Sequence, residues 1–273
     1  MKPVAFDYER PRDLAQALSL IGGAGTKIMA GGQSLGPMLN LRLARPELVV
    51  DIRGIEALSA AELQGDRLVL GALVTHAAIE DGAVPDATNG MMRHVAGEIA
   101  YRAVRNRGTV GGSVVHADPA ADWINALAAL GARVRIASAG GSRVEPISGF
   151  IRGAFTTGLM PGEILTAVEI PRLSDAAGWG YRKICRKVGE FSEATGVAVV
   201  DPARKLSRVV MGAVGGRPLF MIETARVLAE KGPVAAAEAV AAEAARLAPA
   251  LDPVSLQTHI VAVQRAIAQV HAA

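Results

Sequence analysis

Cysteine is almost missing from this chain: Cys185 stands alone among 273 residues. A single thiol excludes an internal disulfide and any cysteine-rich metal or iron–sulfur site. The histidines (His76, His94, His116, His259, His271) form no H-E-x-x-H pattern, so a protein-bound metal is not expected. If the protein does redox work, its redox centre is organic or sits on a partner. Aromatic residues make up only 4%, which leaves Ala, Val, Leu and Ile to build the core. The net charge is only +3, and without a concentrated basic face this argues against nucleic acid as the main partner. No apolar run reaches the roughly 18 residues that would span a bilayer. Met1–Pro11 carries Asp7, Glu9 and Arg10 and has no apolar h-region, so it does not read as a signal peptide, and a cytoplasmic protein is expected. The common nucleotide fingerprints G-x-G-x-x-G and G-x-x-x-x-G-K-[ST] do not describe the chain's glycine motifs.

What the chain does have is a pair of glycine-rich motifs about eighty residues apart, Ala30-Gly31-Gly32-Gln33-Ser34 and Thr109-Val110-Gly111-Gly112-Ser113. Paired glycines turn through positive φ and admit a ligand close to the backbone, because no Cβ stands in the way. Successive N–H groups aimed into one concavity form an anion-binding nest. Two nests suit one long ligand with a pyrophosphate better than a single phosphate. Ser34 adds a hydroxyl donor, and the N–H groups of Gly31 to Ser34 are further donors. A tight strand-to-loop turn with no ligand is the structural alternative for each motif.

The pattern of elements divides the chain into residues 1–60, 61–172 and 173–273. In the first unit, Leu14, Ala17, Leu18 and Ile21 recur at helical spacing, Thr26–Ala30 reads as a strand entering the first motif, and Glu47–Ile52 reads as a second strand. Residues 35–46 read as a loop with a helical turn. In the second unit, a turn at Gly65-Asp66 leads into the strand Arg67–Leu73, and Thr75 caps a short helix. Met92, Val95 and Ile99 line a longer one. Asp118-Pro119 opens a helix that ends at Gly131, and strands Arg133–Ala137, Arg143–Ile147 and Ile164–Ile170 follow. Beyond Leu173–Gly178 come antiparallel strands and then Ala-rich helices from about Ile222, an α+β pattern. Asp118 is read as an N-cap, and Asp122 as a carboxylate one turn inside that helix, free to accept from a ribityl or ribose hydroxyl. His116 is either a ligand contact or a satisfied interior histidine.

These motifs resemble the FAD-binding medium subunit of molybdenum hydroxylases, the carbon monoxide dehydrogenase and xanthine dehydrogenase family. The likeness is carried by Ala30-Gly-Gly-Gln-Ser-Leu35-x-Pro37, by Thr109-Val-Gly-Gly-Ser113…His116-Ala-Asp-Pro-Ala-Ala-Asp122, and by Arg186-Lys187-x-Gly189-Glu190-Phe191, starting from Phe6-Asp7-Tyr8-x-x-Pro11. The resemblance implies an α+β protein: a two-subdomain FAD-binding fold of the vanillyl-alcohol oxidase (PCMH) type, then an α+β C-terminal domain. It implies that Ala30, Gly31, Gly32, Gln33, Ser34 and Leu35 hold the FAD pyrophosphate on one side, and Thr109, Gly111, Gly112 and Ser113 on the other. Asp118 and Asp122 belong to the same site, with Asp122 on the ribityl or neighbouring hydroxyls. Ile164 or Leu165 gives a backbone contact near the flavin, Lys183 matches a lysine at the start of the C-terminal domain, and Phe191 aligns with an aromatic over the isoalloxazine. One branch of the family carries an extra iron–sulfur cluster in this subunit, which a chain with only Cys185 cannot hold.

The family implies partners as well: a large molybdopterin-binding subunit and a small subunit with [2Fe–2S] clusters, assembled as a dimer of heterotrimers. Arg102, Arg105 and Arg107 are candidates for docking the small subunit, with a solvated basic loop or internal salt bridges as the alternative. A self-sufficient flavoprotein oxidase or dehydrogenase is the competing reading, and a cofactor-free scaffold is a third. No acid–base pair in 173–273 supports the former, and the glycine motifs with Ser34, Thr109 and Asp122 speak against the latter.

Overall fold

In the computed structural model, which describes residues 2–270, the N-terminal unit is a small parallel α/β layer. Strands β1 (Asp7–Glu9), β2 (Thr26–Met29) and β3 (Leu48–Asp51) pair in parallel in the order β1-β3-β2. Helix α1 (Leu14–Leu20) begins where the Asp13 carboxylate accepts from the Gln16 N–H at 2.8 Å, as an N-cap residue does. The stretch expected to be a loop with a helical turn contains a six-residue helix, α2 (Leu35–Asn40). At the end of β3 the buried Asp51 accepts from the Tyr8 hydroxyl and from Arg53 Nε (2.8 Å). Its neighbours Tyr8 and Arg53 hold its carboxyl down to about 2 against the cost of burial.

The second unit is an antiparallel sheet of five strands, β4 (Ala61–Gln64), β5 (Arg67–Gly71), β6 (Arg133–Ser138), β7 (Gly141–Pro146) and a later central strand. Five helices fill the crossover from β5 to β6: α3 (His76–Glu80), α4 (Met91–Glu98), α5 (Arg102–Arg105), α6 (Val110–His116) and α7 (Asp122–Leu130). After β7 come α8 (Ile147–Phe150), the hairpin β8 (Ile151–Gly153) and β9 (Thr156–Thr157), and the central strand β10 (Ile164–Pro171), which pairs with β5 and β6. Every residue of α7 is buried, so its apolar positions Trp123, Ile124, Leu127 and Leu130 are core on all sides.

The C-terminal unit is a meander, β11 (Gly178–Ile184), β12 (Ala194–Asp201), β13 (Leu206–Gly212) and β14 (Leu219–Phe220), followed by α9 (Ile222–Leu247) and α10 (Pro253–Gln269). Period-2 alternation divides its sheet into two faces. Tyr181, Val197 and Val210 join the core around α7. On the other face, a Cβ at Gly180 or Gly196 would overlap the Ala266 or Ala262 carbonyl, so these two glycines let α10 lie directly on the sheet. Helix α9 kinks where Gly232 (φ 80) precedes Pro233, because proline cannot continue the hydrogen-bond ladder.

Three local expectations need correction. Thr109-Val-Gly-Gly-Ser113 is not a loop turn: Thr109 caps α6, and Val110 to Ser113 form its first turn. The helix expected to open at Asp118 begins at Asp122, with Ala121 as its N-cap. Helix α4 stops at Glu98, so Ile99 lies outside it in extended backbone.

Candidate functional site

The two glycine motifs touch. A Cβ on Gly31 would overlap the carbonyl of Arg107, and one on Gly112 would reach the Ala30 Cβ at 3.7 Å. Gly32 adopts φ +73, which re-aims the chain into α2. The backbone N–H groups of Gly31 through Leu35 donate to no group among the described residues, and neither does the exposed Ser34 hydroxyl. Unpaired donors gathered at bare backbone form an anion cradle. Gln33 instead folds its amide back on the Gly31 carbonyl at 3.2 Å.

The second motif contributes differently. The N–H groups of Val110 and Gly111 donate to the Val74 and Ala72 carbonyls, both at 3.0 Å. Gly112 N–H is taken by Thr109 Oγ1 (3.1 Å), and Ser113 N–H by the Thr109 carbonyl (3.0 Å). It therefore offers bare Cα surface and the Ser113 hydroxyl, not a nest of free N–H groups. Gly111 is a packing glycine: its Cβ would stand 2.5 Å from the Ala72 Cβ.

Beneath the junction lies His76. Its backbone N–H donates to the Gly108 carbonyl, and its ring lies where a Gly108 Cβ would go. Trp123 Nε1 donates to His76 Nδ1 at 3.0 Å. Indole nitrogen only donates, so His76 is the neutral tautomer with its proton on Nε2. Burial, with Arg105 adding to it, lowers this imidazole to about 4.

Trp123 follows Asp122 at the start of α7. Asp122 is buried and accepts from the Tyr181 hydroxyl (2.5 Å) and from Lys183 Nζ (3.2 Å). Lys183, also buried, donates in addition to the Glu98 carbonyl at 3.2 Å. Burial pushes the Asp122 carboxyl up, and Lys183 and Tyr181 oppose that push. The hydroxyls of Ser192 and Thr195 are buried without a partner among the described residues, and Thr195 stands opposite Lys183 in the β11–β12 register. Unpaired buried hydroxyls are open to a polar ligand or a bound water.

The remaining expected residues are spread around this line. Asp118 caps no helix, and its carboxylate accepts from the Ala120 N–H at 2.9 Å. Ile164 and Leu165 are buried at a bulge in β10, with Ile164 in the core of the first unit. Phe191 is 67% exposed on the loop between β11 and β12. The half-buried His116 packs on Phe155, ring centroids 5.2 Å apart. Arg105 pairs with Glu80 (2.8 Å), and Arg102 with Asp81 (2.6 Å) and Glu80 (3.0 Å). Those two arginines are thus engaged inside the chain, and Arg107 alone of the three has no carboxylate partner among the described residues. His271 lies outside the described residues.

Sequence reasoning missed Tyr181, His76 with Trp123, and Ser192. Tyr181 had a readable signal: two residues before Lys183 in a strand puts it on the same face. Among the described residues no helix is long and apolar enough to cross a membrane, and no group of three or more His, Cys, Asp or Glu side chains could hold a metal ion.

Residues 4–173 match the family model of the FAD binding domain in molybdopterin dehydrogenase. The chain is 35% identical to caffeine dehydrogenase subunit beta of Pseudomonas sp. (strain CBB1) over 80% of its own length and 76% of that protein's. It is 34% identical to the carbon monoxide dehydrogenase medium chain of Hydrogenophaga pseudoflava over 73% of its own length and 70% of that chain's. Among solved structures, carbon monoxide dehydrogenase from Hydrogenophaga pseudoflava superposes with a TM-score of 0.90 at 30% identity, covering 99% of this chain and 98% of that one. Quinoline 2-oxidoreductase from Pseudomonas putida 86 gives 0.88 at 31% identity, covering 99% and 98%.

Proposed function

The chain belongs to the family of FAD-binding domains of molybdopterin dehydrogenases, an oxidoreductase family, and from that premise we propose that it is the FAD-carrying, electron-transferring medium subunit of a molybdenum hydroxylase. It takes electrons from the [2Fe–2S] clusters of a small subunit, while a large subunit with molybdopterin acts on the organic substrate. The electrons leave to an external acceptor, and two such heterotrimers pair. Residues 1–60 and 61–172 serve as the two FAD-binding subdomains, and 173–273 as the C-terminal domain.

The observation that carries this reading is the cradle at Gly31 to Leu35, whose free N–H groups lie against the second glycine motif. A pyrophosphate there would accept from those N–H groups and from the Ser34 and Ser113 hydroxyls, and the bare faces of Gly32 and Gly112 would admit it. Bound FAD supplies a centre that exchanges electrons singly or in pairs. The chain's own residues orient it. Asp122, already held by Tyr181 and Lys183, would accept from a cofactor hydroxyl through a remaining lone pair. Lys183, bonded to Asp122 and to the Glu98 carbonyl, would be a polar contact for the cofactor, and Ile164 or Leu165, just before the bulge in β10, would give the backbone contact. Phe191 would cover one face of the ring. No side chain of this subunit needs to move a substrate proton.

The competing reading, an enzyme with its own substrate pocket, finds no free buried acid–base group among the described residues of the C-terminal unit. In the C-terminal unit the buried Asp201 is bonded to Ser174, Glu243 to Thr224, and His259 to the Ser255 and Ala213 carbonyls. The relatives' names differ in substrate, from caffeine to carbon monoxide to quinoline, as expected where substrate choice lies in another subunit. The deciding experiment is an absorbance spectrum of the purified chain, with acid release and identification of any yellow chromophore. Released FAD without iron supports the proposal. A folded, colourless chain that takes up no added FAD overturns it.

A further inference from the structure

Gly189, at φ +90, lies against the ring of Tyr101, so that a Cβ there would stand 2.6 Å from the ring's Cε1. The loop that carries Gly189 runs from residue 185 to 193, begins two residues after Lys183, and also carries Val188 and Phe191. These two side chains are 86% and 67% exposed. Ion pairs brace the loop from within, Arg186 to Glu190 at 2.8 Å and Lys187 to Glu190 at 3.6 Å. At Gly189 it rests on Tyr101, a residue of the second unit.

The Tyr101 side of the contact is fixed. Ala100 adopts φ +43, a left-handed conformation that alanine visits rarely. Three successive carbonyls of this turn are held by cations. Glu98 O accepts from Lys183 Nζ at 3.2 Å, and Ile99 O and Ala100 O accept from one Arg105 nitrogen at 2.9 and 3.1 Å. Arg105 is in turn held by Glu80. A strained residue persists only where its surroundings over-determine it. What this turn presents is the Tyr101 ring, 54% exposed, with its hydroxyl unbonded among the described residues.

We propose that Tyr101 is a positioning residue: a rigid abutment on which the 185–193 loop seats, so that it sets where Phe191 stands and how much of the flavin ring an external acceptor reaches. This rests on the FAD-subunit reading. The contact joins the cation-held turn after α4, in the second unit, to the loop of the C-terminal unit, and both ends adjoin Lys183. Only glycine fits at 189, because both the positive φ and the ring exclude a side chain. The tyrosine acts through its ring, not its hydroxyl.

The test compares the full-length chain with Tyr101→Ala, Tyr101→Phe and Gly189→Ala. Limited trypsin digestion without cofactor, read by mass spectrometry, reports the Lys187–Val188 bond. Tyr101→Ala and Gly189→Ala should raise cleavage there about fivefold, with other sites unchanged, because cleavage follows the open population. Tyr101→Phe should match the parent. In the FAD-loaded chain, air reoxidation after chemical reduction should change about threefold in Tyr101→Ala and Gly189→Ala but not in Tyr101→Phe, because the loop then shields the ring differently. Gly189→Ala made on top of Tyr101→Ala should add less than it does alone, because the clash with the ring is gone and only the strain of its positive φ remains. Parent-like cleavage and reoxidation in Tyr101→Ala overturn the proposal. A chain that binds no FAD overturns the functional reading instead, and the trypsin comparison still decides the seating of the loop.

Discussion

Trp123 Nε1 donates to His76 Nδ1 at 3.0 Å, and this one bond joins the glycine junction to the buried charge pair. His76 supports Gly108, Gly108 abuts Gly31, and Trp123 is the neighbour of Asp122. Protonating His76 would set a charge against an indole donor in a buried site. Its folded value of about 4 lies below the roughly 6.5 of an unfolded histidine. The unfolded chain therefore binds the extra proton between those values, and stability falls as pH drops through that window. From pH 7 to pH 5 the loss is about 2 kcal/mol from this residue alone. Urea unfolding at the two pH values measures it. His76→Gln, which keeps an acceptor for Trp123, should flatten the difference, and an equally steep loss in that variant would remove His76 as its source.

Gly31, Gly32 and Gly36 test the cradle by graded crowding. A Cβ on Gly31 overlaps the Arg107 carbonyl, one on Gly32 is strained by φ +73, and one on Gly36 meets nothing within 4 Å. Gly31→Ala should therefore part the two motifs, cost about 2–3 kcal/mol and abolish FAD retention. Gly32→Ala should cost about 1 kcal/mol and weaken FAD binding. Gly36→Ala should leave binding unchanged. Equilibrium dialysis with FAD, beside thermal melts, ranks the three. Equal FAD affinity in Gly31→Ala and the parent would refute the cradle.

Asp122 and Lys183 are coupled, both buried, at 3.2 Å. Removing either partner strands a charge, so Asp122→Asn and Lys183→Met should each cost about 3–5 kcal/mol. The double variant should lose clearly less than the sum, because it leaves no unpaired charge. Denaturant unfolding of all four proteins closes the cycle, and strict additivity would show the pair to be uncoupled.

How much of this was legible in the sequence depends on separation along the chain. The first glycine motif, the Thr75 cap and the Lys183 strand position are local, and each declares itself through residue type and spacing. The second motif misled because two consecutive glycines disfavour a helix. Tertiary contact outweighed that preference, since Gly111 must be bare to sit on Ala72 and Thr109 caps the turn. Asp118 misled because Asp-Pro is a common helix start, whereas Ala121 is the residue that takes the extended backbone before α7. His76 with Trp123 and Tyr101 with Gly189 are tens of residues apart, and no local pattern announces such pairs.

Arg107 is the remaining candidate for the proposed docking of a small subunit, since Arg102 and Arg105 pair within the chain. Its exposed side chain stands on the segment whose carbonyl abuts Gly31, beside the cradle. Charge reversal separates the roles. Arg105→Glu should destabilise the isolated chain by about 2–3 kcal/mol, because it sets like charges beside Glu80 and releases two carbonyls. Arg107→Glu should change stability by less than about 0.5 kcal/mol. If Arg107 meets an acidic face of the partner, Arg107→Glu should slow assembly, with an effect that shrinks as salt rises, because rim charges act mainly on association rate. Co-purification and association kinetics at low and high ionic strength decide it. Assembly that is unchanged in Arg107→Glu at low salt would move the docking surface elsewhere on the subunit.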